Sequence, residues 1–421
     1  MFPSKLTFIM TAVGAAVGLG NIFRFPALCV KYGAPFILVY IMSLLILGLP
    51  LLFSEIAFGR RFGQTAPECF KNADKKALPL SLFCSVNSFI IVTYYCVLFS
   101  FTVLASVFSY RLFSLSPSSA QNVFTPLIFP DSFSPVLVCF LIFSWAAALL
   151  CFGGAKRLGK ISTASVIFAS SVIFLLSLIS IFTSKGAVFS FLNFSFSVFA
   201  LPSFWLDTLG QVFFSLSLSV GVLITYGACL DKKENIIKCG FWIAFFDLLI
   251  SLAATVIFVA VDADGSGGLL SSFSAYPKAF ASFGVFSAPI CFLFYLSVGF
   301  LCLDSVFSYL KSAVSFFVFT LGGKELFWAV GVSSVSGVLG LFMLQGEGLK
   351  FLNLLDGSIA PFLILLAGLL HTVLFSRGAV KSALLSELGL RKNCHLRVFS
   401  LLVGLFCPTL ILVLLIAQIF F

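Results

Sequence analysis

The chain is built from a series of apolar runs, each about twenty residues long and almost free of charged residues. In lipid, only helices and closed barrels satisfy the hydrogen bonds of their own backbone. Barrel strands would alternate apolar and polar residues, and these runs do not alternate. The sequence therefore predicts an all-α membrane protein of about 11 transmembrane helices.

Composition supports the same conclusion. Hydrophobic residues make up 61% of the 421 residues and charged residues only 10%, whereas a soluble domain is about a quarter charged. We expect the lipid bilayer as a partner and no nucleic acid, because excess Lys and Arg in such a chain usually mark cytoplasmic loops. The twelve Cys lack metal-ligand spacing and are predicted to be small apolar residues within the membrane.

Eleven spans, numbered in chain order, are predicted at 5–29, 34–58, 78–113, 134–152, 161–183, 205–229, 236–261, 287–320, 325–344, 351–375 and 397–420. With the N-terminus inside, 19 Lys and Arg lie on the cytoplasmic side and 5 outside. This positive-inside bias predicts a cytoplasmic N-terminus and an outer C-terminus. A cleaved signal peptide over the first twenty residues is an alternative, but it leaves the polar end of span 1 unexplained.

The spans divide into two sets of five, residues 1–183 and 205–375, followed by an additional helix at 397–420. An odd number of spans in the first set places the second set upside down in the membrane. This arrangement predicts a single transporter domain, residues 1–421, built as a 5+5 inverted repeat.

Span 1 contains Gly14, Gly18 and Gly20, followed by Asn21 and Arg24. Small residues four apart are typical of ordinary helix packing. With Asn21 and Arg24 attached, an unwound segment that exposes carbonyls to a cation is the better interpretation.

Span 6 has Ser215, Ser217 and Ser219 in mid-membrane. Their hydroxyls could bond back to carbonyls four residues earlier in an intact helix. The equivalent place of span 6 in the second repeat favours a second broken helix instead.

Four acidic residues lie in or near spans, and each is costly facing lipid. Glu55 is expected to pair with Arg60 or Arg61, which follow within two turns. Asp356 is expected to pair with Arg24. No basic residue lies near Asp247 or Asp304 in the sequence, so both suit a hard cation that takes oxygen ligands.

Tyr94 and Tyr95 of span 3 have two open interpretations. They are either core aromatic residues, or one phenol hydrogen-bonds a substrate carboxylate in a polar cavity.

The run Ala16–Pro26 resembles the signature of the neurotransmitter:sodium symporter family. Further matches follow in the family's order, at Gly48–Leu52 with Glu55, at Tyr94–Tyr95, at Gly210–Ser217 and at Leu303–Ser305. The span count is similar to that of the bacterial branch. The resemblance implies a multi-pass protein of the bacterial inner membrane.

The resemblance also implies a substrate site, two sodium sites and an outer gate. The substrate would lie against Ala15, Ala16, Gly18, Leu19, Gly20, Ile91, Tyr95, Phe214, Ser215, Ser217, Val220, Ser305 and Tyr309. The first sodium site would use Ala16, Asn21, Ser215 and Asp247, and the second Gly14, Val17, Leu301, Asp304 and Ser305. The outer gate would consist of Arg24, Asp356 and Phe214.

Chloride in animal members would lie among positions matching Tyr40, Gln211, Ser215, Ser251 and residue 247. Because residue 247 is Asp here, a fixed carboxylate would replace the anion, and we expect no chloride requirement. Two features depart from the family. The inner gate has only Lys5 as its base and Phe319 where the acid belongs, and the pattern starting at Gly154 has Ala164 in place of Pro.

The function predicted is sodium-coupled symport of a neutral amino acid by alternating access, and not an enzyme activity. A membrane enzyme would need acid clusters or His-rich loops, and a channel would not need paired broken helices. The remaining alternative is a non-transporting receptor or scaffold that retains the fold. The substrate's identity, the sodium stoichiometry and the oligomeric state do not follow from the sequence.

Overall fold

The computed structural model describes Phe2 and residues 4–114, 134–151, 154–183, 187–261, 280–344, 348–390 and 393–420, with Ser119, Phe273 and 276–278. These residues form helices and no β-strand. The last predicted residue of span 4, position 152, lies outside this set. The all-helical fold class is confirmed.

The helices follow the predicted spans closely. Six spans are single helices, at Leu78–Phe108, Ser134–Cys151, Gly154–Thr183, Ile236–Val261, Ser287–Leu321 and Glu325–Met343. Five spans consist of two helices each, at Lys5–Ala16 with Phe25–Tyr32, Ala34–Ser43 with Leu49–Phe62, Pro202–Ser215 with Val222–Gly227, Gly348–Leu354 with Ala360–Phe375, and Asn393–Leu401 with Cys407–Phe420.

Within the described residues, eight helices are long and apolar enough to cross a membrane, and span 1 adds a ninth if its bent pair is one span. Spans 4 and 6 are helical but do not meet this length and hydropathy test. The count of eleven therefore stays a prediction.

Spans 1 and 6 are both broken, as predicted. In span 1 the two helical parts are bent by 64°. In span 6 the helix stops at Ser215 and resumes at Val222. Between them Ser217, Ser219 and Gly221 have φ of 50°, 66° and 81°, which an intact helix does not allow.

Four spans contain one π-helical turn each, and a proline follows every one of them. The turns are Gly20–Arg24, Leu44–Gly48, Leu355–Ile359 and Leu402–Phe406, and the prolines are Pro26, Pro50, Pro361 and Pro408. Proline has no N–H and clashes with the carbonyl four residues earlier, so a wider turn relieves the clash. Neighbouring side chains use two of the freed carbonyls, because Tyr276 Oη donates to Ile22 O at 3.3 Å and Cys407 Sγ to Ile46 O at 3.7 Å.

Burial separates the central spans from the peripheral ones. In the most apolar window of span 3, 78% of residues are buried inside the protein, against 33% in span 5 and 28% in span 11. Span 8 packs on span 3 and on span 1. The breaks of spans 1 and 6 therefore lie against the buried centre, away from lipid.

At the predicted cytoplasmic end, Arg60 holds several segments together. Its Nε donates to Glu387 Oε2 at 2.8 Å, and its Nη1 donates to Glu234 O at 2.7 Å. Glu387 ends a short helix, Gly378–Glu387, which was not predicted from the sequence, and a second short helix spans Ala66–Ala73.

No salt bridge to Lys5 exists among the described residues, so the inner end has no ion pair in that place. Phe2 packs there instead, with its ring centroid 5.8 Å from that of Tyr226 and 5.7 Å from that of Phe8. Eleven cysteines are described and all are free, and no cluster of metal-binding side chains occurs in the described part of the chain.

Candidate substrate and sodium site

Five oxygen-bearing groups predicted for the second sodium site converge between spans 1 and 8. Ser305 Oγ lies 3.2 Å from Gly14 O, 3.5 Å from Val17 O and 3.1 Å from Leu301 O. One hydroxyl proton can serve only one of these carbonyls. Asp304 Oδ1 accepts from Ser162 Oγ at 3.0 Å, whereas Oδ2 is buried without a partner. This surplus of buried oxygen atoms fits a hard cation such as sodium.

Three side chains predicted for the first sodium site are also in contact. Asn21 Nδ2 donates to Asp247 Oδ1 at 2.7 Å and to Ser215 Oγ at 2.9 Å. Ser215 Oγ donates to Asp247 Oδ2 at 2.6 Å. The fourth predicted ligand, Ala16, is the buried last residue of the first half-helix. The set joins the breaks of spans 1 and 6 to span 7 and presents the oxygen atoms of Ser215 and Asp247, whereas Asn21 Oδ1 accepts from the Gly18 N–H at 3.2 Å.

Three of the four residues at positions that match the chloride site of animal members, Tyr40, Ser215 and Ser251, contact Asp247. Tyr40 Oη donates to Asp247 Oδ2 at 3.3 Å, and Ser251 Oγ lies 2.8 Å from Asn21 Nδ2. Gln211 Nε2 donates to Gly20 O at 3.2 Å, which links spans 1 and 6 directly. Asp247 therefore occupies the centre of this polar cluster.

The predicted substrate-binding residues with side chains are all buried, and they lie on spans 1, 3, 6 and 8. Ser217 Oγ donates to Ala15 O at 2.8 Å and lies 2.8 Å from Tyr309 Oη. The ring of Tyr95 is 5.9 Å from that of Tyr309 and 6.3 Å from that of Phe214. These contacts show that the Ser217 hydroxyl bonds across the fold, and not back along its own helix.

Two glycines of span 1 leave no room for a side chain. A Cβ on Gly18 would lie 2.9 Å from Ser305 Oγ and 3.3 Å from Tyr95 Oη. A Cβ on Gly20 would lie 2.6 Å from the Phe214 ring. The glycines therefore allow close approach between the unwound backbone and spans 3, 6 and 8.

The three predicted outer-gate residues are near one another. The Arg24 guanidinium carbon lies 5.6 Å from the centroid of the Phe214 ring, within the range of a cation–π contact. Asp356 is close enough to Arg24 for electrostatic attraction. Both residues are described, and they form no direct salt bridge. One Arg24 guanidinium nitrogen is buried without a hydrogen-bond partner.

The prediction for Glu55 is wrong. Glu55 does not pair with Arg60 or Arg61, and both arginines instead form ion pairs with Glu387, at 2.8 Å and 3.9 Å. Its Oε1 instead lies 3.0 Å from His371 Nδ1 and accepts from the Ser219 N–H at 2.8 Å. His371 was not predicted as a partner from the sequence. A buried carboxylate in span 2 and a lone histidine in the middle of span 10 are the two signals that could have suggested this pair.

Comparison with known proteins assigns the family. The model of the sodium:neurotransmitter symporter family matches residues 1–123 and 131–420, which is nearly the whole chain. The chain belongs to this family. It is therefore a sodium-dependent multi-pass membrane transporter, and its family is not one of enzymes.

Two relatives agree with this assignment, and one solved structure has the same fold. An uncharacterized sodium-dependent transporter of Methanocaldococcus jannaschii is 28% identical over 405 residues, covering 89% of this chain and 80% of that protein. The uncharacterized sodium-dependent transporter YhdH of Bacillus subtilis is 28% identical over 416 residues, covering 92% and 90%. The crystal structure of MhsT in complex with L-phenylalanine matches with a TM-score of 0.90 at 22% identity, over 99% of both chains. This last match shows the fold.

Proposed function

We propose that this family member imports a neutral amino acid together with sodium, by alternating access about the breaks of spans 1 and 6. The observation that carries the proposal is the second-site cluster, where Asp304 Oδ2 is buried without a partner beside three carbonyls that share one hydroxyl. A bound cation balances that carboxylate. Sodium binding thereby couples span 1 to span 8.

Two features support an amino acid as the substrate. The first-site cluster already contains Asp247, and a substrate carboxylate would complete the oxygen ligands around a sodium ion there. The Tyr95 hydroxyl lies close to Gly18 in the unwound part of span 1, where it can donate to a substrate carboxylate. At position 18 there is no side-chain carboxylate to pair with an isolated amine, so the substrate ammonium relies on backbone carbonyls of the unwound segments.

We further propose that two sodium ions bind and that chloride is not required. The protein would lie in a bacterial inner membrane, with a cytoplasmic N-terminus and an outer C-terminus. The alternating-access cycle rests on the division into repeats at 1–183 and 205–375, with 397–420 as an additional helix.

The test is uptake by the purified protein in proteoliposomes that carry an inward sodium gradient. Labelled neutral amino acids and dopamine-like amines are compared, and potassium replaces sodium as the control. We expect uptake of at least one neutral amino acid, lost in potassium. If an amine is preferred over every amino acid, the substrate class is wrong. Sodium-dependent binding without uptake supports the alternative, a receptor or scaffold that keeps the fold.

A further inference from the structure

A buried polar cluster lies outside the candidate substrate and sodium sites. Its four members are Glu55 of span 2, Cys84 of span 3, Ser219 of the unwound part of span 6 and His371 of span 10. The side chains of Glu55 and His371 are both fully buried, at 0% exposure. Burying a polar group there destabilises the protein unless hydrogen bonds or an opposite charge compensate for the lost contact with water.

We propose that Glu55 and His371 form a buried ion pair that fixes the backbone of the unwound segment of span 6, and that the transport cycle depends on this pair. This ion pair would be part of the proposed transport mechanism. The uptake measurements that test it therefore rest on the proposed function. Both are positioning residues, because they act on the substrate site through Ser219.

The hydrogen-bond pattern favours a charged pair over a neutral one. The Ser219 N–H donates to Glu55 Oε1, and His371 Nδ1 lies 3.0 Å from the same oxygen, an arrangement that suits a carboxylate acceptor and a ring protonated at Nδ1. On the other side of the ring, His371 Nε2 lies 3.4 Å from Cys84 Sγ, and Cys84 Sγ donates to Ser219 O at 3.6 Å. If both ring nitrogens carry protons, Nε2–H donates to sulfur and the thiol proton still reaches the Ser219 carbonyl. A neutral ring protonated at Nδ1 makes Nε2 compete with that carbonyl for the same thiol proton. A neutral ring protonated at Nε2 requires the Glu55 proton on Oε1, and the Ser219 N–H would then donate to a hydroxyl oxygen, which is a weaker acceptor than a carboxylate.

Glu55 has no other counter-charge within the described residues. The nearest arginines along its own helix, Arg60 and Arg61, form ion pairs with Glu387. Two aromatic rings pack against the His371 imidazole. The ring centroid of Phe70 lies 5.3 Å from that of His371, and the ring centroid of Phe375 lies 5.6 Å from it. The titratable groups in contact are therefore Glu55, Cys84 and His371 themselves.

The cluster holds Ser219 at both of its backbone polar groups, N–H by Glu55 and C=O by Cys84. Ser219 has φ of 66°, so these two hydrogen bonds hold a residue whose backbone conformation is strained. The adjacent Val220 carbonyl accepts from Ser88 Oγ at 2.9 Å and also from Ser312 Oγ. Ser217, two residues before Ser219, bonds to Ala15 and Tyr309 in the candidate substrate site. A change in the pair is therefore passed to the substrate site along two residues of unwound backbone.

The experiment compares Glu55→Gln, His371→Asn and the double variant. The Asn amide keeps an N–H near the position of Nδ1, and Gln keeps an acceptor for Ser219, so each single change mainly removes one charge. The control is His395→Asn, which alters the other, exposed histidine. For each protein we measure sodium-driven uptake across a pH series with equal pH on both sides, and the melting temperature in detergent.

We expect each single variant to lose uptake by about tenfold or more, since each leaves one buried charge without its partner. The neutral double variant should transport and melt closer to the wild type than either single variant. The wild type should lose activity as alkaline pH removes the His371 proton, and this loss should be absent from the double variant. His395→Asn should follow the wild type.

Two results contradict the ion pair. One is Glu55→Gln transporting like the wild type at every pH, and the other is a double variant worse than both single variants. If a single variant folds but is too unstable to transport, the order of the melting temperatures still decides. A wild type without sodium-dependent uptake contradicts the proposed function alone, because the melting temperatures test the pair independently.

Discussion

Among single residues, Asp247 and Asp304 stand out because their described partners are all uncharged. Asp247 is bonded to Asn21, Ser215 and Tyr40, and Asp304 to Ser162. An unbalanced carboxylate in the centre of a membrane protein is costly. We therefore expect both residues to act through the ions they bind.

Asp304→Asn should weaken sodium binding at the second site before it weakens the fold. The substitution keeps the shape and one oxygen but removes the charge next to the carbonyls of Gly14 and Val17. The sodium concentration for half-maximal uptake should rise by about tenfold, the order of one lost charge-assisted contact. The measurement is a sodium titration of uptake, with Ser100→Ala as the control, because that buried hydroxyl bonds only within its own helix. An unchanged sodium dependence would show that the second-site assignment is wrong.

Asp247→Asn should create a dependence on chloride. A chloride about 4 Å from the Asp247 carboxylate is repelled by about 4 kcal/mol at an effective dielectric near 20. The wild type should therefore transport equally when gluconate replaces chloride, and the impaired variant should be partly rescued by chloride. Strict chloride dependence of the wild type would falsify this interpretation.

Among the structural elements, the unwound part of span 6 is unusual because two of its left-handed residues are serines. The Ser217 hydroxyl makes two hydrogen bonds, which offset the strain of its positive φ, whereas the buried Ser219 hydroxyl has no hydrogen-bond partner. The Ser219 contacts are made by its backbone. The two serines therefore form a matched pair for substitution.

Ser219→Gly should stabilise the protein by about 0.5–1 kcal/mol, because glycine adopts positive φ freely and the unpaired hydroxyl is removed. Ser217→Gly should destabilise it, since the relief of strain does not offset two lost hydrogen bonds. Melting temperatures of the two variants in detergent provide the comparison. Equal shifts in both would mean that the hydroxyl contacts do not matter.

The sequence allowed the elements to be predicted more completely than the contacts between them. The break in span 1 is visible as Gly14, Gly18 and Gly20 beside polar residues, and the break in span 6 as three serines. The Glu55 partner was mispredicted because local sequence distance favours Arg60, whereas the fold brings in His371 from 316 residues away. Pairings of this range depend on how the helices pack, and the composition of one helix does not specify them.

For the whole molecule, the distribution of basic residues predicts opposite sides of the membrane for the two termini. Alkaline phosphatase fused after residue 420 should be active, because it would lie outside the cytoplasm. The same enzyme fused within 232–238 should be inactive, since that basic loop is expected to stay inside. Activity in the reverse order would contradict the orientation, and activity at neither position would contradict an odd number of spans.

The π-helical turns before Pro26, Pro50, Pro361 and Pro408 affect how side chains are assigned to faces. Each π-helical turn contains one residue more than an α-helical turn. The side chains beyond it are therefore rotated about the helix axis by about 100° from the positions that a regular α-helix would give them. In spans 1, 2, 10 and 11, a helical wheel drawn through the whole span is therefore out of phase on one side of the proline. Mutations designed to reach the lipid surface or a neighbouring span should be counted separately from each end of these helices.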